Sequence, residues 1–453
     1  MVLANRFSNT LNPNITGSVP ERPPGFDWDY INYPITFGPD GVPFFPLEDY
    51  FASCLSGPAY YCSPSGSSGN DGLSAATPKL SISSAITLAN AGGVPCRIYC
   101  AAGHFIRNNG FNPASVNIGV DIAFIAHGGR AVVSVADNLS YSSVGSGVYS
   151  VTRSAVNRVF DIRTTDEFGS YTELTNVADL SACTATPGSW AQVSTTLYVH
   201  LSDGAVVSDS NTRAMLQAGN VAFSSVTPRN VYFNGFDFEG ASQGVLNVSY
   251  DVPAPNPVIV GARNCTFKYG GGIISTTLGD GARIDNLNGL ACFIDCESNS
   301  NYKDGFNIHN TNNSGKYKTY MMTINCRGLN NGRGVSTSNN GLTAHENASI
   351  FDYNGYYDYN YGGSLHNIGT SHGWAVKTQC LRSQGDGVGI SPSEFIVADT
   401  AKLWMDRTIA SPGTAVGAFA CSALTGTSQM YRRNHLNYGG VDAVTAGSIM
   451  TNW

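Results

Sequence analysis

Two acidic residues that flank a cysteine have a spacing that could serve acid–base chemistry. Asp295 and Glu297 lie on either side of Cys296, and Asp352 follows in a similar stretch further along the chain. If Cys296 faces inward from a strand, its two neighbours face outward with side chains about 6–7 Å apart, because alternate strand residues share a face. Carboxylate pairs act as acid and as base or nucleophile in the cleavage of glycosidic bonds. The alternative is that outward acidic residues only solvate the surface.

Histidines are concentrated in one short part of the chain. The stretches NNGLTAHENASIFD and GGSLHNIGTSHGWAVKT bring His345, His366, His372 and Lys377 close together in sequence. Histidine near carboxylates can act as an acid or a base near neutral pH. We therefore regard His345, His366 and Lys377 as further catalytic candidates. A histidine at a turn or in a polar ladder is an equally good structural explanation.

A third group of residues could bind the ring of a sugar. The candidates for substrate binding are aromatic side chains close to the histidines in sequence: Tyr356, Tyr357, Tyr359, Tyr361, His372 and Trp374. In an exposed loop, tyrosines offer a flat face to a sugar ring and a polar tip to its hydroxyl groups. The alternative is that these tyrosines pack against a neighbouring chain.

The stretch around Cys296 recurs with a period of about 27–31 residues between residues 229 and 391. Each repeat has a polar residue, a residue in the cysteine slot, a loop of variable length, a glycine and an apolar residue. The slot residues are Phe236, Cys265, Cys296, Cys326, Tyr353 and Cys380. A period near 30 without an amphipathic helix predicts an all-β parallel solenoid, with equivalent residues of successive turns about 4.8 Å apart.

The slot residues predict an inward stack, because free cysteine behaves as a small buried hydrophobe. The residue before each slot must then face the other way. These preceding residues form a predicted polar ladder on one outer face: Asn264, Asp295, Asn325, Asp352 and Gln379. On this alignment Asp295 and Asp352 lie two turns apart, about 9.6 Å from each other.

The composition of the chain narrows its class of function. The net charge is −7 and only 13% of residues are charged, which disfavours binding to nucleic acid or to an anionic membrane. No stretch has the roughly 18 apolar residues of a membrane-spanning helix, and the N-terminus lacks the apolar core of an export signal. The eleven cysteines match no zinc-binding spacing and no calcium-binding loop is present, so we expect neither a metal nor a cofactor.

The chain divides by pattern into three regions. Residues 1–62 are rich in proline, asparagine and aromatic residues, and predict an extended arm that orders against a partner. Residues 63–391 predict the coil, with a capping helix near 81–91 that covers its open strand edges, and an insertion near 140–215. Residues 392–453 lose the cysteine spacing and end in apolar residues, which predicts a C-terminal cap that contributes to an oligomer.

Several stretches resemble a known group of proteins. GNDGLSAATPKLSISSAI, followed by CRIYCAAGHF, resembles the opening of right-handed parallel β-helix proteins of the pectate-lyase-like group. PGSWAQVSTTLYVHLSDG resembles an insertion of their carbohydrate-active members, and KDGFNIHN matches their turn pattern. SHGWAVKT is similar to the His-Gly segment and basic residue of polygalacturonase-like hydrolases, but the Asp-Asp pair of those enzymes is absent here. The resemblance implies a right-handed parallel β-helix with several alternative activities.

Within this group the chain looks most like a bacteriophage tailspike. That resemblance implies a homotrimer in the virion tail, assembled in the host cytoplasm and attached to other tail proteins through the N-terminal arm. It also implies that the protein recognises or cleaves bacterial surface polysaccharide. The alternatives are a non-catalytic structural or adhesive spike, and a free polysaccharide lyase or hydrolase without a virus.

Overall fold

The chain folds as the predicted right-handed parallel β-helix. The computed structural model describes residues 19–111, 117–223, 228–249, 256–273, 279–311, 317–333, 339–385, 392–413 and 418–453. From residue 231 to residue 444, each turn contributes one strand to each of three parallel sheets, called here sheets I, II and III in the order in which a turn visits them.

The strands of the three sheets have the following bounds. Sheet I contains Ala59–Cys62, the first halves of Cys96–Phe105 and Ile122–Ser134, then Val231–Asn234, Val258–Arg263, Gly289–Ile294, Thr319–Ile324, Ser349–Tyr353, His372–Val376, Lys402–Asp406, Gln429–Arg433 and Ile449–Asn452. Sheet II contains the second halves of the same two long strands, then Phe236–Ala241, Thr266–Gly270, Glu297–Asn299, Arg327–Leu329, Tyr356–Asp358, Gln379–Leu381, Ile409–Ser411 and Leu436–Asn437. Sheet III contains Val221–Phe223, Leu246–Ser249, Ala282–Asp285, Phe306–His309, Leu342–Ala344, Gly363–Asn367, Ser393–Ala398, Phe419–Leu424 and Val441–Val444.

Polar residues make the sharp corner between sheets I and II. Asn264, Asp295, Asn325 and Asn354 all have a positive φ of 52–55°. Asn and Asp tolerate this left-handed conformation better than other residues with a Cβ atom. Asn325 Nδ2 donates to Asp295 Oδ1 at 3.0 Å, and Asn354 Nδ2 donates to Asn325 Oδ1 at 2.9 Å, so the corners of successive turns are tied together.

The residues assigned to the inward slot are correct for four turns and wrong for two. Phe236, Cys265, Cys296 and Cys326 are buried in the core, each directly before a sheet II position that pairs with the next turn. Tyr356 pairs with Arg327 and with Gln379, so the later slot positions are those of Gly355 and Thr378.

The assignments of Tyr353 and Cys380 to the slot are therefore wrong. Tyr353 belongs to the outer face of sheet I, and Cys380 lies in sheet II beside Tyr357. The error arose because the alignment halved the interval between Cys326 and Cys380, although these two cysteines occupy different positions in their turns.

A short helix covers the first turn of the coil, as predicted. It spans Ile82–Gly92, begins at the N-cap Ser81, whose side chain accepts from Ser84 N, and ends at Gly93 with a left-handed φ of 69°. Its apolar face, led by Ile82 and Ile86, is fully buried against the first strands. This contact removes the open end of the core from water.

The N-terminal arm contains little regular structure. Thr36–Phe37 pairs with Pro43–Phe44 in a small antiparallel hairpin. A 3-10 helix, Leu47–Phe51, runs directly into a one-turn α-helix, Ala52–Ser56.

The described part of this arm packs on the outer face of sheet I of its own chain. Its buried aromatic residues, among them Phe26 and Trp28, contact an aromatic row of the coil that includes Phe351, Trp374 and Trp404. The coil of the same chain thus supplies an apolar surface for the arm, and ordering of the arm against a partner stays a prediction. Attachment to other tail proteins stays a prediction.

The region near residues 140–215 forms small sheets outside the coil. One consists of Ser142–Gly145, Val148–Thr152, Thr175–Asn176, Ser189–Val193 and Thr196–His200, and the other of Val156–Thr165, Tyr171–Glu173 and Thr212–Leu216. A short helix, Leu180–Ala185, covers the first of them. The inserted region contacts the coil through Arg158, whose Nη1 donates to Ser300 O at 2.8 Å.

The coil extends beyond the predicted boundary at residue 391. Strands from Ser393–Ala398 onward pair in parallel register, and the pairing continues to Ile449–Asn452. The cysteine spacing stops marking the coil because the slot is occupied by Thr408 and then by His435, which hydrogen-bond to each other at 2.7 Å. A role of this region in a trimer stays a prediction. None of the helices in the described ranges is long and apolar enough to cross a membrane.

Candidate active site

Asp295 and Glu297 are engaged in ion pairs near sheet II. Asp295 Oδ2 lies 3.7 Å from Arg263 Nη1, and Glu297 lies 3.1 Å from Lys268 Nζ and 3.6 Å from Arg327 Nη1. Burial opposes the ionisation of Glu297, but the charges of Lys268 and Arg327 outweigh it and hold its pKa below the usual value. A carboxylate held ionised by two cations is a poor proton donor, so Glu297 fits a structural ion pair better than a general acid.

Asp352 lies inside the coil, and its predicted place in the outer ladder is wrong. It is fully buried and accepts hydrogen bonds from Thr323 Oγ1 at 2.6 Å, from Tyr357 OH at 2.8 Å and from Thr378 Oγ1. Burial raises its pKa to about 6. Because strand side chains alternate, placing Tyr353 in the inward slot reversed the direction assigned to Asp352.

The tyrosines do not form one exposed loop. Tyr357 is fully buried, whereas Tyr356 points outward from sheet II and donates to Asp358 Oδ2 at 3.0 Å. Tyr359 packs against Phe168 of the inserted region, with ring centroids 5.2 Å apart, and near Tyr361 at 6.3 Å. The prediction of a shared exposed loop is wrong because the segment alternates between the two faces of a strand and then turns a corner.

His372 and Trp374 lie in sheet I and Lys377 lies at the corner that follows it, away from the outer face of sheet III. His372 Nδ1 accepts from the backbone N–H of Asp27 at 3.2 Å, and Trp374 is buried beneath the arm. Lys377 Nζ donates to Tyr353 OH at 2.9 Å at the corner that follows. Because these three residues belong to sheet I and the corner after it, their closeness in sequence to His366 does not place them on the same face.

His345 and His366 lie on the outer face of sheet III. In the strand pairing, His366 follows Thr343, Asn307 and Arg283 of the preceding turns, all of which face away from the apolar core. The ring of His366 is only 3% exposed, and neither of its nitrogens has a hydrogen-bond partner within the described structure. Burial lowers its pKa to about 4, so this imidazole is neutral at physiological pH.

Two aspartates that the sequence analysis overlooked lie at the corner between sheets II and III. Asp280 and Asp304 occupy the same position on successive turns, two residues before the paired residues Ala282 and Phe306. Both are fully buried, and the backbone N–H of Asp304 donates to Asp280 Oδ1 at 3.1 Å. Equivalent positions on adjacent turns are about 4.8 Å apart, so the two carboxyl groups belong to one site.

Hydrogen bonds connect this aspartate pair to the outer face of sheet III. Asn307 Nδ2 donates to Asp280 Oδ2 at 3.3 Å. Asn340 donates to Asp304 Oδ1 through its backbone N–H at 2.6 Å and through Nδ2 at 3.1 Å, and its Nδ2 also donates to Thr343 Oγ1 at 3.0 Å. The row that ends at His366 therefore lies next to the carboxyl pair.

At this corner the pKa values of the two aspartates and of Lys303 are all shifted upward. Burial raises the pKa of Asp304 to about 6 and also raises that of Asp280, with Lys303 partly offsetting both. Lys303 Nζ lies 3.9 Å from Asp304 Oδ2. Burial acts against the charge of Lys303, but Asp280 and Asp304 outweigh it and raise its pKa, so Lys303 is cationic and unsuited to act as a base.

A third group of side chains lies at the far edge of the same face. His309 and His345 follow the paired residues Ile308 and Ala344, and their rings stack with centroids 4.0 Å apart. Glu346 comes next, with both carboxylate oxygens 3.4 Å from His309 Nδ1. The nitrogen and oxygen atoms that these three residues could offer to a metal all lie within 4.8 Å of one another.

A cleft of about 230 Å³ lies where the inserted region meets the coil. Tyr302, Arg333 and Ile273 of the coil line one side, and Glu173 and Trp190 of the inserted region are among the residues that line the other. Tyr302 is two positions before Asp304 in the chain, and neither Asp280 nor Asp304 lines the cleft itself.

The sequence contains a signal for the missed aspartates. Asp280 and Asp304 begin the similar stretches DGARI and DGFNI, and Asn340 begins NGLTA at the next turn. The interval between the two Asp-Gly pairs is shorter than the period of the cysteines, because the loops at this corner differ in length. An alignment anchored on cysteine therefore could not bring them into register.

Comparison with known proteins supports the fold. No family model and no curated protein matches the sequence. A solved structure titled glycoside hydrolase has a TM-score of 0.52 at 9% identity, over 85% of this chain and 97% of that one. Pectate lyase Pel9A has a TM-score of 0.39 at 14% identity, over 82% of each chain. A tailspike protein of Pseudomonas phage LKA1 has a TM-score of 0.24 at 10% identity, over 82% of this chain and 75% of that one. At these identities the first similarity establishes a shared parallel β-helix, and the other two carry no further argument.

Proposed function

We propose that the protein hydrolyses glycosidic bonds of a polysaccharide at the outer face of sheet III, with Asp304 as general acid and Asp280 as nucleophile. The observation that carries this proposal is the pair of buried carboxyl groups at one position of successive turns, beside cationic Lys303. Two carboxylic acids close together share charge poorly, so one remains protonated while the other ionises. That division supplies an acid and a nucleophile from identical side chains.

The reaction balances on these two groups. Asp304 donates its proton to the glycosidic oxygen as the bond to the anomeric carbon breaks, and an oxygen of Asp280 bonds to that carbon. Water, deprotonated by the Asp304 carboxylate, then displaces Asp280 and restores both groups. A separation of about 5 Å between the carboxyl groups is typical of this retaining course, in which the anomeric configuration is kept. The cleft beside Tyr302 would hold the neighbouring sugars of the chain.

The experiment uses purified bacterial surface polysaccharide and measures new reducing ends together with the ultraviolet absorbance of unsaturated products. We expect reducing ends without that absorbance, and a loss of about 10²–10⁴-fold in kcat for Asp304→Asn, the usual contribution of a general acid. Glu297→Gln is the matched control, because it removes an ion-paired carboxylate of sheet II and should leave kcat unchanged. Unsaturated products, or equal losses in the two variants, would contradict the proposal.

The tailspike hypothesis concerns where such an enzyme would act, and it too remains our proposal. It is supported by the sequence resemblance and by a coil architecture that such proteins share. Light scattering should give the mass of a homotrimer, and the protein should bind intact bacteria that display its polysaccharide. A monomer that cleaves polysaccharide would favour a free hydrolase, whereas binding without any cleavage would favour a non-catalytic adhesive spike.

A further inference from the structure

We propose that His309, His345 and Glu346 form a binding site for one divalent transition-metal ion, with zinc as the best-fitting example. The three residues come from two successive turns at the corner between sheets III and I. The proposal does not depend on glycoside hydrolysis, because metal content can be measured on inactive protein.

The positions of the two histidines are fixed by the coil. They follow Ile308 and Ala344, which pair in parallel register, so their backbones are about one strand spacing apart. Their rings stack at an interplanar angle of 15° with centroids 4.0 Å apart. Binding requires each ring to turn about its soft terminal torsion until one nitrogen of each faces a common ion at about 2.0–2.1 Å.

Glu346 is already held in place for such a role. Its backbone has a positive φ of 50°, and its carbonyl oxygen accepts from Thr370 N at 2.7 Å and from Thr370 Oγ1 at 3.0 Å. One carboxylate oxygen also accepts from Asn310 N at 2.9 Å. Outer contacts of this kind orient metal ligands and reduce the entropy lost on binding.

Two nearby atoms have unmet bonding capacity. His345 Nε2 is buried and has no hydrogen-bond partner within the described ranges, and the same holds for Asp285 Oδ1. Asp285 pairs in register with His309, one turn earlier, and its other oxygen, Oδ2, is ion-paired with Arg283 Nε at 2.8 Å. A cation at this place would satisfy the nitrogen and complement the carboxylates.

The ligand set selects the class of ion. Imidazole nitrogens suit zinc, iron, nickel and copper, whereas calcium and magnesium prefer sites made wholly of oxygen atoms. Two histidines and one carboxylate also leave a coordination position for water. Because all eleven cysteines are buried, the folded chain offers the ion no exposed thiolate in competition.

The test is equilibrium dialysis of the full chain, stripped with a chelator, against zinc, with metal content measured by elemental analysis. We expect one zinc per chain, no retention of calcium or magnesium, and an affinity loss of at least about 100-fold for His309→Ala and His345→Ala. His127→Ala is the matched control, because it removes an exposed histidine elsewhere on the coil and should retain zinc.

Glu346→Gln keeps the proposal testable if a histidine variant does not fold, since it removes the charge with almost no change in shape. It should weaken zinc binding while circular dichroism shows the same β structure. Cobalt bound to the wild type should give the absorption of nitrogen and oxygen ligands. No zinc above the level of Glu346→Gln, an equal loss in His127→Ala, or a cobalt–thiolate band would each overturn the proposal.

Discussion

The outer faces of sheets I and III belong to the same turns of one coil but have opposite chemical character. Sheet I presents an aromatic row that the N-terminal arm covers, with Phe26 lying edge-on to Trp374 at 5.8 Å and to Trp404 at 6.0 Å. Sheet III presents Arg283, Asn307 and His366 in the corresponding row, next to the buried Asp280–Asp304 pair. The outer face of sheet I packs against the arm, whereas the outer face of sheet III carries polar and ionisable side chains.

This difference shows how a solenoid separates stability from chemistry. The core between the sheets is shared, and the repeat fixes only which residues face inward. Each outward row can therefore differ in chemistry from the others, because it contacts a different neighbour. Closeness in sequence is consequently a poor guide, since His366 and His372 are six positions apart but lie on different faces.

The largest expected effect tests whether the sheet I face serves only stability. Trp374→Ala should lower the free energy of unfolding by about 3–5 kcal/mol, because it opens a cavity beneath the arm. Urea unfolding followed by tryptophan fluorescence and circular dichroism measures this loss. Hydrolysis per folded molecule should not change, since the candidate site lies across the coil.

Phe44→Ala is the control for that experiment, because this arm residue is 67% exposed and should change the free energy of unfolding by no more than about 0.5 kcal/mol. If Trp374→Ala also reduced kcat in folded protein, the two faces would be coupled and the comparison would fail.

The second prediction concerns the pH dependence of stability that arises from Asp352, which is buried in the interior between the two faces. The pKa of Asp352 is about 6 in the folded chain and about 3.9 when unfolded, so the folded state binds the proton more tightly. Its contribution to stability is fully present below about pH 4 and is lost as the pH rises through 6. Asp352→Asn should therefore remove about 3 kcal/mol of the change in unfolding free energy between pH 4 and pH 8.

The measurement for Asp352 is a series of urea unfolding curves across that pH range. Asp295→Asn serves as the control, because its carboxylate lies at a partly exposed corner instead of in the core. A wild type and an Asp352→Asn variant with parallel pH profiles would show that this carboxyl group keeps an ordinary pKa.

The smallest expected effect sharpens the distinction between packing and chemistry at sheet III. His366→Leu should leave stability unchanged or raise it by about 1 kcal/mol, because it removes a buried ring whose nitrogens lack partners in the described structure. Hydrolysis should nevertheless fall about tenfold, because a ring nitrogen without a partner in the chain can hydrogen-bond the bound substrate and leucine cannot. Thermal unfolding measures the change in stability, and steady-state kinetics on the same preparation measure the change in hydrolysis. Unchanged kinetics would assign His366 to packing alone.

Much of the fold could be predicted from the sequence because a parallel coil repeats its local rules. The spacing of Cys265, Cys296 and Cys326 indicated three turns directly, and the Asn and Asp residues before them mark corners that need a left-handed backbone. The capping helix could be recognised from Ile82, Ala85, Ile86 and Ala89, which recur at helical spacing and stop before two glycines.

The candidate site was predicted only in part. His345 and His366 were identified and lie on the face proposed here for catalysis, but Asp295 and Lys377 lie at the corner between sheets I and II, and Glu297 lies in sheet II. The loops between strands vary in length from turn to turn, so positions in different sheets drift relative to the cysteine spacing. A drift of one residue reverses a side chain, and this is how Asp352 was assigned to the wrong side.

The sequence by itself determined the repeat, the three-sheet coil and the class of residue at each corner, because these follow from local backbone preferences and from alternation along a strand. Only the tertiary structure decided that Asp280 meets Asp304, that His309 meets His345, and that the arm covers Trp374 instead of leaving it to bind a sugar. Such pairings depend on the exact length of every loop in a turn. Loops can differ in length from turn to turn at little cost in folding free energy, because closing a loop costs only slightly more as the loop grows. Local sequence patterns therefore do not show which residues of different turns come into register.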